Sequence, residues 1–83
     1  MSLPAQTFTG ITQVKFDAIT AAVKAKIGIT ITADDGQDAA DGFTISWTYS
    51  PDSETLIIQV LDKPWWAPDG TVQSQISNLI NNA

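Results

Sequence analysis

The sequence predicts a small α+β domain with its elements in the order α-β-β-β-α. Three observations carry that expectation. Apolar residues recur at helical spacing near both ends of the chain. Between them, three stretches rich in β-branched and aromatic residues alternate with period 2. Clusters of Gly, Pro, Asp and Ser separate these stretches. With 83 residues the chain has room for one domain, expected over 11–83 after an irregular lead-in at 1–10.

The first helix is expected from Ile11 to Ile27, where Phe16, Ile19, Val23 and Ile27 form an apolar stripe widened by Ala22. Thr12 suits the N-cap, and Gly28 suits a left-handed residue that ends the helix. Lys24 and Lys26 fall in its last turn, where positive charge complements the helix dipole.

Strands follow. Ile29, Ile31 and Ala33 alternate with Thr30 and Thr32, and Phe43, Ile45, Trp47 and Tyr49 alternate with Thr44, Ser46, Thr48 and Ser50. A third run sets Leu56, Ile58 and Val60 on one face and Ile57, Gln59 and Leu61 on the other. A turn at 51–54 pairs Ser50 with Thr55, Trp47 with Ile58 and Ile45 with Val60, so apolar residues meet on one face. Across a loop at 34–42 the same rule pairs Ile31 with Ile45 and Ile29 with Trp47. The result is a three-stranded antiparallel meander. The last helix is expected to start at an Asp69 N-cap and to bury Val72, Ile76, Leu79 and Ile80. Both helices then cover one face of the sheet, and the outer face is largely Thr and Ser. On this path both helices begin at the acidic end.

This element order is that of double-stranded RNA-binding domains. Those domains open their second helix with a lysine cluster, whereas this chain has Asp69-Gly70-Thr71-Val72-Gln73. The likeness therefore stops at topology, which carries no function.

Composition excludes several chemistries. There is no cysteine, hence no disulfide, thiolate nucleophile or Cys-based metal site. There is no histidine, the usual near-neutral acid–base catalyst and the commonest transition-metal ligand. The 4 basic residues are all lysines, so no guanidinium fork is present. A net charge of −5 repels nucleic acid, and no apolar run reaches the roughly 18 residues that span a bilayer. Met1-Ser2-Leu3-Pro4 lacks the basic and apolar regions of a signal peptide, so a cytoplasmic protein is expected. No cofactor is expected.

Four segments invite a functional reading. Asp34, Asp35, Asp38 and Asp41 supply carboxylate oxygens suited to a hard cation, but their spacing is not that of an EF-hand, and a solvated hairpin loop is favoured. Asp62-Lys63-Pro64-Trp65-Trp66-Ala67-Pro68 puts two adjacent indoles between prolines, a platform for a sugar ring or a peptide. The favoured reading is that one indole seals the open end of the core while the other lies on the surface or in a subunit contact. The outer sheet face carries Ile57 and Leu61, which with Trp66 form a candidate dimer contact beside open strand edges. The polar face of the last helix (Gln73, Ser74, Gln75, Ser77, Asn78, Asn81 and Asn82) lacks charge, which fits an interface core and equally a solvated amide-rich face near a fraying terminus.

No catalytic arrangement is expected. The one pair considered, Asp41 with Asp62, lacks any indicated apolar pocket to separate the two pKa values. The expected function is a non-enzymatic module acting through protein contacts, as a homodimer. The alternative is a sugar- or peptide-binding module that uses Trp65 and Trp66 with Asp62 and Lys63, and the acidic loop as a divalent-cation site.

Overall fold

A computed structural model describes residues 3–83. Met1 and Ser2, the first half of the Met1-Ser2-Leu3-Pro4 opening, lie outside the described residues. The elements are β1 (Gln6–Phe8), α1 (Gln13–Lys26), β2 (Asp35–Ala40), β3 (Phe43–Ser50), β4 (Thr55–Asp62) and α2 (Asp69–Asn81). The strands form one antiparallel sheet in the order β1-β4-β3-β2, with both helices on one face.

The α+β class and the central hairpin are as expected. Ser50 pairs with Thr55, Trp47 with Ile58 and Ile45 with Val60. Ile45, Trp47, Tyr49, Leu56, Ile58 and Val60 are all buried against Phe16, Ile19 and Val23 of α1 and Val72, Ile76 and Ile80 of α2. At the far end a one-residue irregularity sets Thr44 opposite Asp62, where strict alternation would place Leu61. The aromatic that meets Phe16 is Tyr49, with ring centroids 4.1 Å apart and planes 13° from parallel. Trp47 instead donates its indole N–H to the Ala33 carbonyl at 3.0 Å.

The path into the sheet differs from expectation. Residues 29–33 are not a strand, and the acidic segment 35–40 is one. The deciding feature is Asp41-Gly42, whose φ angles of 54° and 86° make a two-residue hairpin turn matched to the twist of the strands it joins. That turn pairs Ala40 with Phe43 and so, by alternation, Asp38 with Ile45 and Gly36 with Trp47. Ile29 and Ile31 still alternate with exposed Thr30 and Thr32, but they enter the core from a segment lying beside β2 rather than within the sheet. Thr30 N–H donates to the Asp38 carboxylate at 3.1 Å, and Lys24 Nζ donates to Thr30 Oγ1 at 3.2 Å. The burial period was legible, whereas the hydrogen-bond partner was not.

The lead-in is also not irregular throughout. Gln6, Thr7 and Phe8 pair with Ile58, Ile57 and Leu56. Leu3 is buried and its N–H donates to the Val60 carbonyl at 2.9 Å. The edge of β4, expected to be open, is therefore covered. Because β1 runs toward the 51–54 turn, α1 starts there: Ile11 N–H donates to the Glu54 carbonyl at 2.8 Å. Its last turn, followed by Gly28, lies near Ala40 at the Asp41-Gly42 end. The expectation that both helices begin at one end thus fails, since α1 ends where α2 begins.

The helix boundaries follow local rules. Thr12 Oγ1 accepts from Lys15 N–H at 3.2 Å, and Gly28, at φ 86°, donates to the Val23 and Lys24 carbonyls. Pro68, not Asp69, is the N-cap of α2; its extended backbone and its carbonyl, which accepts from Val72 N–H at 3.0 Å, open the helix, and Asp69 in the first turn pairs with Lys63.

Candidate functional site

Directly after β4 the chain makes a tight turn. Ala67 N–H donates to the Pro64 carbonyl at 3.0 Å, so Trp65 and Trp66 are the two central residues of a β-turn. Both indoles point outward, with exposures of 92% for Trp65 and 65% for Trp66. Neither seals the core; Ala67, at 4%, is the residue buried there. Lys63 braces the turn from below. Its ammonium donates to the Ala67 carbonyl at 2.7 Å and pairs with the Asp69 carboxylate at 3.0 Å, leaving its side chain 6% exposed. Lys63 is therefore occupied in holding the turn and is not presented to a ligand. Asp62 is exposed, and its carboxylate accepts from Lys63 N–H at 3.0 Å.

The turn abuts the β2–β3 hairpin. A Cβ added at Gly42 would stand 3.0 Å from Pro64 Cγ, so glycine there permits both the positive φ and this close approach. On the helix side a cleft of about 610 Å³ starts at this end and runs along the flank of α2 to Asn82 and Ala83, bounded by the second half of α1 and the hairpin. Ile27, Phe43 and Leu79, all only partly covered by the core, form its apolar lining. Gln75, Asn78 and Asn82 bring amides to it, and Lys26 and Asp41 bring one charge of each sign. Sequence periodicity could not reveal this cleft, because it arises where three elements diverge. One signal was available: Ile27 and Leu79 belong to the two helical stripes at positions the helices leave half-buried.

The four aspartates weighed as candidate cation ligands do not converge. In β2, Asp35 lies on the outer face with Gln37, whereas Asp38 faces the helices, opposite Ile45. Asp34 precedes the strand and Asp41 sits in the turn at its other end. Among the described residues no three acidic groups are placed to share a metal ion. Asp38 is a structural acceptor: the Thr30 N–H, helped by the Ala39 N–H and the charge of Lys24, holds its carboxyl below the usual carboxylate range. Asp41 reaches the cleft while Asp62 does not line it, so no common cavity joins this pair.

On the outer sheet face Ile57 is 39% exposed and Leu61 is half-buried. Thr7 and Thr48 flank Ile57 on the neighbouring strands, and Gln59 separates it from Leu61 along its own. These two side chains are therefore scattered among polar neighbours, and Trp66 belongs to the turn. Among the described residues no helix is long and apolar enough to cross a membrane. No protein-family model, curated protein or solved structure matches the chain.

Proposed function

We propose that this domain is a non-enzymatic interaction module that self-associates, with the Trp65–Trp66 turn at the contact. The observation that carries this reading is the pair of adjacent indoles exposed by 92% and 65% on a turn closed at 3.0 Å and braced by Lys63. Tryptophan is the residue most enriched at the energetic centre of protein contacts. A turn held in shape before binding loses little freedom on docking. Composition supports the non-enzymatic part, since the chain has neither histidine, cysteine nor arginine.

The test is light scattering across a dilution series. A dimer is expected for the native chain and a monomer for the doubly substituted Trp65→Ala/Trp66→Ala protein. A native chain that stays monomeric at millimolar concentration overturns the reading.

The same exposed indoles support a second reading, a platform for a sugar ring or a proline-rich peptide. Titration of tryptophan emission with a glucose oligosaccharide or an oligoproline peptide separates the two. A saturable change lost in the Trp65→Ala/Trp66→Ala protein, without any change in mass, favours the platform.

A further inference from the structure

We infer that the occupant of the cleft is a second copy of the chain, in a reciprocal twofold dimer: each Trp65–Trp66 turn fills the partner's cleft between α1, α2 and the β2–β3 hairpin. This rests on the self-association proposed above and adds the receptor surface to it.

Placement is the first argument. The projecting turn adjoins the mouth of the cleft at the hairpin, through the contact of Gly42 with Pro64 and the place of Asp41 and Phe43 in the cleft, which from there runs along α2 to Asn82. A protrusion and a hollow on opposite sides build open chains, because each contact leaves another unfilled. Side by side, they close under a single twofold axis, with each protrusion entering the other's hollow.

Chemical fit is the second. The cleft, at about 610 Å³, lies in the size range of sites that enclose ring-bearing groups. Its apolar lining of Ile27, Phe43 and Leu79 offers partly covered side chains to the indole faces. Each indole also carries an N–H that needs an acceptor once it leaves water. The side-chain carbonyls of Gln75, Asn78 and Asn82 provide acceptors on the same walls.

Charge and area agree with this occupant. Between Gly70 and Ala83 the chain has no ionisable side chain, and the cleft's Lys26 and Asp41 cancel. Beside these and the Lys63–Asp69 pair, each turn brings to the contact a single excess carboxylate, Asp62, out of a chain charge of −5. The open edge of β2 is the opposite case. A twofold pairing there would bring the aspartates around 34–41 of both copies together. A largely exposed indole pair offers roughly 300–400 Å². Two such pairs, with the walls they cover, reach about 1,200–1,600 Å² in total, the range of specific interfaces.

The experiment is sedimentation velocity on three proteins: the native chain, Trp65→Ala/Trp66→Ala, and Asn78→Arg, which places a bulky cation on an exposed wall of the cleft. Both variants should raise the dimer Kd by about 30-fold or more, the factor that accompanies loss of a contact's main anchor. An equimolar mixture of the two variants should form heterodimers weaker than the native dimer. One intact turn and one intact cleft then still meet. Ala22→Trp, which fills the cleft from α1, replaces Asn78→Arg if circular dichroism shows that variant unfolded. Loss of the dimer in the tryptophan variant alone, with native association in both cleft variants, overturns the cleft as receptor but leaves tryptophan-mediated association standing. A dimer that survives loss of both tryptophans overturns both proposals.

Discussion

The three tryptophans of this chain illustrate how position, not residue type, decides a role. Trp47 stands between Ser46 and Thr48 on a central strand whose alternation puts it among the core residues at 4% exposure, with its N–H bonded to the Ala33 carbonyl. Trp47→Ala is expected to cost about 3–5 kcal/mol, measured by urea unfolding, because truncating a large core aromatic leaves a cavity. Gly36 opposite it follows from the same packing, since a Cβ there would stand 3.2 Å from the indole Cζ2. Asp38 supplies a residue-level prediction in pH. The Thr30 N–H, the Ala39 N–H and Lys24 favour its charged form in the folded chain and so lower its pKa. Its stabilising contribution is therefore present above the unfolded aspartate value of about 3.9 and is lost as pH falls through the lower folded value. Asp38→Asn should flatten the acid limb of a stability–pH curve at that point. An unchanged limb would show that the Thr30 contact carries no such linkage.

At the scale of elements, the legible parts were those governed by neighbours in sequence. The Thr12 cap, the Gly28 stop, the apolar stripes of both helices and the pairing across 51–54 all follow from local geometry. The first expected strand failed although Ile29 and Ile31 are buried as expected; Ala33, expected on the same face, is exposed. Ile29 and Ile31 needed the core, and a connecting segment meets that need as well as a strand does. The competing signal was Asp41-Gly42, a two-residue hairpin dipeptide, reinforced by the small Ala40 before it and Phe43 after it. Gly42→Ala should therefore destabilise by about 1–2 kcal/mol or more in urea unfolding, from the left-handed φ alone. The approach to Pro64 adds to that cost. A neutral result would mean that the turn does not set the register of β2. The strand β1 was missed because a pairing of three residues carries too little periodicity to be seen.

At the scale of the molecule, the exposed tryptophan turn stands apart from the structure that supports the fold. Trp65→Ala/Trp66→Ala should leave unfolding stability, measured at a concentration where the chain is monomeric, within about 0.5 kcal/mol of the native value. The contrast with Trp47→Ala separates an exposed contact residue from a core residue of the same type. A large loss in the double variant would mean that these indoles belong to the packing of the core's open end. Raising the pH supplies a complementary check on the opposite end of the molecule. Burial pushes the Tyr49 phenol up, and Glu54, Asp34 and Asp17 act in the same direction. Its hydrogen bond to the Ile11 carbonyl at 2.7 Å ties β3 to the start of α1. The stability linked to this phenol is present below the unfolded tyrosine value of about 10 and is lost as pH rises through the higher folded one.

By itself the sequence determined the α+β class, the two helices, the Thr12 cap and Gly28 stop of the first, the pairing across 51–54 and most of the side chains that form the core, though not Leu3, Ile11 or Ala67. Each depends on spacing and on residues a few positions apart, where backbone geometry leaves few choices. Only the tertiary structure decided which segment pairs with the edge of β3, which lead-in residues cover β4, and that both indoles of the turn face outward. It also decided that Lys63 is a brace, that the four aspartates diverge, and that a cleft opens beside the turn. These depend on contacts between residues far apart in the chain. There several partners fit one pattern locally, and the packing of the whole molecule selects among them.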